Sequence, residues 1–359
     1  MTMNGKNGGN GGNGGGEGLL EKLAPIVRRK RKILIITHDN PDPDGLASAY
    51  ALKYLLYAKW RVGSLIAYGG LVGRAENAAL IKHLKIEVRH ISGVNVRDFS
   101  VVALVDTQPG TGNNPLSRAV EPEIVIDHHV PIYSRTLQAK FHDIRTDYGS
   151  TSSILTEYLM ESGIENPDRK VATALFYGIK SDTSDLGREA GPKDMAAHLF
   201  LHPHVLFRVL SKISHPRVSV DYVRAFAKAL NNALIDGDVI VSDMGFIDNP
   251  ASLGEMADFL LRIEGVKWVL CLGGFRGSIY FSLRTTRRHA NVGLAVRKMV
   301  QDIGYGGGHD TTAGGKAGND TEEIERYKMI ADLLITRFLR EIKKRDFKGE
   351  RLLGRETSA

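Results

Sequence analysis

The sequence predicts an α/β protein in which a mostly parallel sheet, with helices on both faces, precedes a smaller α/β module. Three observations predict this. Between residues 32 and 179, short apolar runs alternate with helically spaced ones, as in parallel sheets whose crossovers are helices. Composition shifts near residue 190, and β-rich segments follow. Acidic and imidazole side chains recur just past the apolar runs, where ligands of open α/β sheets gather.

Residues 1–31 read as a disordered, Gly/Asn-rich and basic tail, with a short amphipathic stretch at 19–27. The first domain is expected at 32–200. Its strands are expected at 32–37, 62–67, 87–91, 101–105 and 124–126, and its helices at 45–58, 77–85, 150–162 and 169–179. A linker and connecting helix fill 201–235. The second module, 236–345, opens with a strand at 239–243. Strands at 266–272 and 278–285 form a hairpin across a Gly-Gly-Phe-Arg-Gly turn. A helix at 291–303 ends at Gly304, a glycine loop follows, and a long helix spans 322–344. A tail at 346–359 closes the chain.

At about 100–200 residues per domain, 359 residues suit two domains. The 42% hydrophobic content supports folded cores. Cys271 is the single cysteine, which excludes an intramolecular disulfide and a cysteine zinc cluster. No apolar stretch approaches the roughly 20 residues needed to cross a bilayer, and the N-terminus lacks an apolar signal region. The expected setting is the reducing cytoplasm, away from membranes. The net charge of +7 is uneven. Residues 1–32 carry seven Lys/Arg against two Asp/Glu, residues 337–359 eight against four, and the body between is slightly acidic. Basic termini can be solvated tails or can attract a polyanion such as nucleic acid.

The chemistry lies after the strands. His38, Asp42 and Asp44 follow the first, Asp106 the 101–105 strand, and Asp127-His128-His129 the 124–126 strand. Asp182 follows the 169–179 helix. Alone, an Asp after a strand commonly caps a helix. Together, these carboxylates could not all stay ionised without cations. Two divalent ions would balance Asp42, Asp44, Asp106 and Asp182. Oxygen-rich ligands with imidazole and no thiolate suit manganese, magnesium or iron. Two ions about 3.5–4 Å apart would clamp a phosphate and lower the pKa of a water. Asp106, alone after a central strand, is the candidate bridge.

The pattern His38-x-x-x-Asp42-x-Asp44, Asp106, Asp127-His128-His129 and Asp182 resembles the four motifs of the DHH phosphoesterase superfamily. Ser282-Leu283-Arg284, Asn291-Val292-Gly293, Gly306-Gly307-Gly308-His309 and Ala313-Gly314-Gly315 resemble the DHHA1 domain. The resemblance implies one metal on His38, Asp42 and Asp106, and another on Asp44, Asp106, His128 and Asp182. It implies two Mn2+ (Mg2+ or another divalent ion as alternatives), catalytic roles for His128, His129 and Asp106, and orientation of a histidine by Asp127. Substrate would meet His129, Arg284, Gly306, Gly307, Gly308 and His309 in a cleft between the domains.

A DHHA1 module, in place of the pyrophosphatases' partner domain, argues against inorganic pyrophosphate. The chain length leaves no room for the extra domain of long RecJ exonucleases, and no membrane segment precedes the core. What remains is similar to NrnA-type oligoribonucleases, which release mononucleotides from short RNA or DNA and in some cases act on 3′-phosphoadenosine 5′-phosphate. A cyclic dinucleotide phosphodiesterase, a RecJ-like exonuclease and a non-catalytic nucleotide sensor are the alternatives. The family also makes a homodimer an expectation. His198, His202 and His204 raise a further metal site, for which incidental spacing is the simpler account.

Overall fold

The computed structural model describes residues 18–28, 32–187, 190–308, 311–319, 321 and 323–354. They divide into two compact units, the second comprising Gly73–Ala75 and the described residues from Pro216 onward.

The first unit begins with α1 (Leu19–Val27), β1 (Lys32–Ile36), α2 (Pro43–Trp60), β2 (Gly63–Tyr68), α3 (Ala75–Leu84) and β3 (Val88–His90). It continues with β4 (Val101–Val105), β5 (Ile124–Asp127), β6 (Phe141–Ile144) and α4 (Thr151–Glu161), then α5 (Arg169–Asp182), α6 (Pro192–Leu201) and α7 (Phe207–Ser214). The six strands are parallel, in the order β3-β2-β1-β4-β5-β6. The strand order therefore reverses between β1 and β4, which opens a crevice at their carboxyl ends.

Alternate strand residues face opposite sides of the sheet. Ile33, Ile35, Ala103 and Ile126 pack on Leu52, Leu155 and Leu175 of the α-helices. Leu34, Ile36, Leu104 and Val125 meet Ile91, Val96, Phe99 and Leu116. The second face is thus covered by the 3-10 turns Ile91–Gly93 and Val96–Asp98 and by long connections. Cover on both sides explains why β1, β4 and β5 read as continuous apolar runs.

Of the tail expected at 1–31, residues 1–17 and 29–31 lie outside the described residues, while Leu19–Val27 form α1. Leu20, Leu23 and Val27 lie on one helical face and join the first core. Asp182, expected after its helix, lies inside it. The polar residues Lys180–Asp182 hide three more helical positions, and the Thr183 N–H still donates to the Ile179 carbonyl at 3.0 Å.

The second unit holds α8 (Val220–Asn232), β7 (Ala233–Asp236), β8 (Val239–Phe246), α9 (Ala251–Leu260), β9 (Trp268–Phe275) and β10 (Ser278–Thr285). Then come α10 (Val292–Met299), β11 (Gly304–Gly308), β12 (Thr312–Ala317), α11 (Ile324–Glu341) and β13 (Glu350–Arg351). Its sheet runs β11-β12-β10-β9-β8-β7-β13 and is antiparallel except for β8 beside β9. α10 and α11 cover one face through Val296, Leu334 and Phe338. α8 and α9 cover the other through Ala229, Leu253 and Met256, against a core that includes Cys271.

Three expectations change here. The β9–β10 turn is only Arg276-Gly277, both at positive φ (47° and 72°), which matches the twist of a two-residue hairpin. Gly306–Gly308, expected as a loop, lie in strand β11 against β12, because glycine composition masks a strand without forbidding one. The 346–359 tail contains β13, which pairs with β7 through Glu350 and Ile235. Among the described residues, no helix is long and apolar enough to cross a membrane.

Candidate metal centre

β1, β4 and β5 are neighbours in the sheet, so residues just past their carboxyl ends meet. Asp42 caps α2, accepting from the Gly45 N–H at 3.0 Å, and Pro43 sets the first helical φ. Asp44 lies in the first turn of α2 and is almost wholly buried. Its two oxygens accept from Thr151 N and Ser152 N at 2.8 Å each. It therefore sits on the first N–H groups of α4, which have no acceptor within the helix and where a negative charge is favoured.

Asp106 follows β4 with φ of 61°, left-handed backbone that Asp tolerates better than most residues. Its Oδ1 accepts from the Thr151 hydroxyl at 2.8 Å. His38 Nε2 is 3.5 Å from both Asp106 Oδ2 and Asp42 Oδ1. On the other side, His128 Nε2 is 3.7 Å from Asp106 and 3.2 Å from Asp182 Oδ2. Asp127 is fully buried, 2.6 Å from His129 Nδ1, and accepts from Gln108 Nε2 at 2.9 Å.

Three groups bring ligand atoms within 4.8 Å of one another: His38 with Asp42 and Asp106, Asp44 with His128 and Asp182, and Asp106 with His128 and His129. Asp106 belongs to two of them.

The charges are set against each other. Burial, then Asp106 and Asp182, push the Asp44 carboxyl well above its ordinary range. Burial alone would lower the His38 ring, but Asp42 and Asp106 outweigh it and hold its pKa well above 6.5. The His128 ring is likewise raised: Asp182, Asp106 and Asp44 overcome its burial. For Asp127 burial pulls upward, yet His129 holds it below the usual range.

The imidazoles test the fit of a cation. His128 Nδ1 lies 3.1 Å from the Tyr148 carbonyl, and His38 Nδ1 lies 2.9 Å from that of Asp39. A carbonyl accepts only, so each Nδ1 carries the hydrogen and a neutral ring turns its Nε2 lone pair onto carboxylates. Among the described residues, the buried His128 Nε2 has no hydrogen-bond partner. Either an imidazolium or a cation between ring and carboxylates relieves this repulsion. The donor set fits a divalent ion.

In the second unit, Arg284 is buried. Its Nε donates to Asp258 at 2.6 Å and its Nη1 to Ser282 Oγ at 2.7 Å. A β-carbon on Gly293 would overlap the Gly308 carbonyl oxygen, one on Gly308 (φ 154°) would overlap that of Thr312, and one on Gly306 would press on Val296. A β-carbon on Gly307 would meet no described residue within 4 Å. His309 lies outside the described residues. His198, His202 and His204 pack on Phe176, Phe207 and Phe200 and join none of the candidate groups.

Sequence reasoning missed Thr151, Ser152, Tyr148, Gln108 and Asp194. The run Ser150-Thr151-Ser152-Ser153 ahead of an apolar helix was the available signal, since such residues favour helix starts.

With this geometry in place, the comparisons are specific. Residues 32–179 match the DHH family N-terminal domain and residues 236–336 match the DHHA1 domain. The chain belongs to the DHH/DHHA1 superfamily. It is 39% identical over 289 residues to an uncharacterized protein of Methanocaldococcus jannaschii, covering 80% of this chain and 58% of that one. It is 28% identical over 209 residues to a probable manganese-dependent inorganic pyrophosphatase of Streptococcus pyogenes, covering 58% and 63%. The chain thus spans about three-fifths of these relatives. A crystal structure of an exopolyphosphatase-related protein from Bacteroides fragilis shares the fold, with TM-score 0.70 and 15% identity over 90% of this chain and 97% of that one.

Proposed function

We propose that the chain is a two-metal phosphoesterase that releases mononucleotides from short oligonucleotides. The observation that carries this reading is Asp106, a buried carboxylate grouped with His38 and Asp42 on one side and with His128 and His129 on the other, beside the group Asp44, His128 and Asp182. His38, Asp42 and Asp106 would hold one ion, and Asp44, Asp106, His128 and Asp182 the other. Manganese suits the donors, and the name of the Streptococcus pyogenes relative supports it. Bound there, the ions would polarise a phosphoryl group and lower the pKa of water.

The remaining work falls to the chain's own residues. The Tyr148 carbonyl holds His128 so that Nε2 faces the carboxylates. Asp127 holds the His129 ring through Nδ1. Burial opposes a charge on His129, but Asp127 outweighs it and raises the ring pKa. A protonated His129 can contact the scissile phosphate or donate to the leaving oxygen. The DHHA1 module supports an oligonucleotide over pyrophosphate, with Arg284, Gly306, Gly307, Gly308 and His309 as contacts to its terminal group.

The test is a substrate panel with Mn2+: RNA dimers to pentamers, DNA equivalents, 3′-phosphoadenosine 5′-phosphate, cyclic dinucleotides and pyrophosphate. Elemental analysis identifies the bound metal. Hydrolysis of short RNA by the wild-type chain but not by Asp106→Ala is the expected result. Binding of oligonucleotides with no turnover of any substrate would replace the enzyme with a sensor.

A further inference from the structure

We propose that Asp194 and Thr151 are positioning residues of the metal centre, acting through one turn at residues 148–152. The proposal rests on the metal-centre reading above.

This turn touches three candidate ligands that come from three different elements. The Tyr148 carbonyl takes His128 Nδ1 at 3.1 Å. The N–H groups of Thr151 and Ser152 reach Asp44 at 2.8 Å each, and the Thr151 hydroxyl reaches Asp106 at 2.8 Å. His128 follows β5, Asp44 lies in α2 and Asp106 follows β4. Their relative placement is therefore referred to a single short segment.

Asp194 fixes that segment. It is fully buried in the first turn of α6, and both its oxygens accept from Gly149 N at 3.0 Å. Its bond to Gly191 N at 2.9 Å is an ordinary capping contact. Capping does not account for the Gly149 contact, 45 residues away in sequence. A buried carboxylate is costly, and here it serves the turn as well as its own helix. Arg145 braces the other end. It pairs with Asp143 at 2.9 Å and donates to the Tyr148 hydroxyl at 2.9 Å, and its backbone N–H donates to the Asp127 carbonyl at 3.0 Å. Metal sites need their ligands held within about 0.5 Å, so loosening the turn should cost affinity before it costs fold.

The experiment measures Mn2+ binding calorimetrically for the wild type, Thr151→Val, Thr151→Ser and Asp194→Asn, with melting curves alongside. Thr151→Val removes only the hydroxyl, while Asp194→Asn turns a donor toward Gly149 N–H. We expect both to weaken Mn2+ binding by about 10- to 100-fold, and Thr151→Ser to restore it. At saturating Mn2+, kcat should recover with KM unchanged. Wild-type affinity in both Thr151→Val and Asp194→Asn, even with lowered melting temperatures, would overturn the proposal. If Asp194→Asn does not fold, the Thr151 pair decides alone. Absence of Mn2+ binding by the wild type would instead overturn the metal-centre reading.

Discussion

The two units put their motif residues to different physical use. In the first, His38, Asp44, Asp106, Asp127 and His128 are charged or chargeable groups crowded together, each held by a carbonyl, an N–H or a hydroxyl. In the second, Gly293, Gly306 and Gly308 are taken up by backbone packing, and Arg284 by Asp258. Motif residues of one kind therefore need a counter-charge, and those of the other need closeness. Among the described residues, Gly307 alone of these motif glycines keeps open space where a β-carbon would sit.

The largest effect that could break this contrast is on activity. Asp106→Ala should lower Mn2+-dependent hydrolysis on the order of a thousandfold or more, read as kcat/KM on an RNA dimer. Next come the glycines. Gly308→Ala should cost about 1–3 kcal/mol in urea denaturation through strain and overlap, while Gly307→Ala should stay within about 0.5 kcal/mol. Equal costs would show that Gly307 is also a packing residue. Arg284→Ala should destabilise by about 1–2 kcal/mol, discounted because Asp258 is 45% exposed.

The smallest effect is one of pH. Asp44, His38 and His128 have raised folded pKa values. Each contributes stability that is full below its unfolded pKa and is lost as pH rises through the folded one. For Asp44 the window opens above 3.8, and for the histidines above 6.5. Asp127 acts oppositely and gives up stability as pH falls through its lowered value. In chelator, melting temperature should therefore decline above neutral pH. The gain on adding Mn2+ should grow over the same range, because the ion competes with protons. A gain that does not change with pH would show that the site is not loaded with protons.

The legibility of the chain follows the same division. β1, β4 and β5 were readable because burial on both faces makes them continuous apolar runs, and the site because strand ends converge where the order reverses; β6, with His142 exposed between Phe141 and Asp143, carries no such run and was missed. Thr151 and Asp194 were not readable: the Thr151 contacts to Asp44 and Asp106, and the Asp194 contact to Gly149, join segments more than 40 residues apart. β11 and β13 were hidden because five residues rich in glycine, and two charged ones, carry no period. Asp182 was found as a residue but misplaced relative to its helix, since apolar spacing stops before the hydrogen bonds do.

The left-handed backbone at Asp106 has a consequence for how this centre could change over generations. Few side chains settle there comfortably, and asparagine is one of them. It has nearly the shape of aspartate, it keeps an oxygen for the Thr151 hydroxyl, and a single base change reaches it. A lineage could thus lose the shared charge while retaining the fold. If the centre hydrolyses as proposed, the easiest mutational exit from hydrolysis leads to a protein that keeps the site without its shared charge.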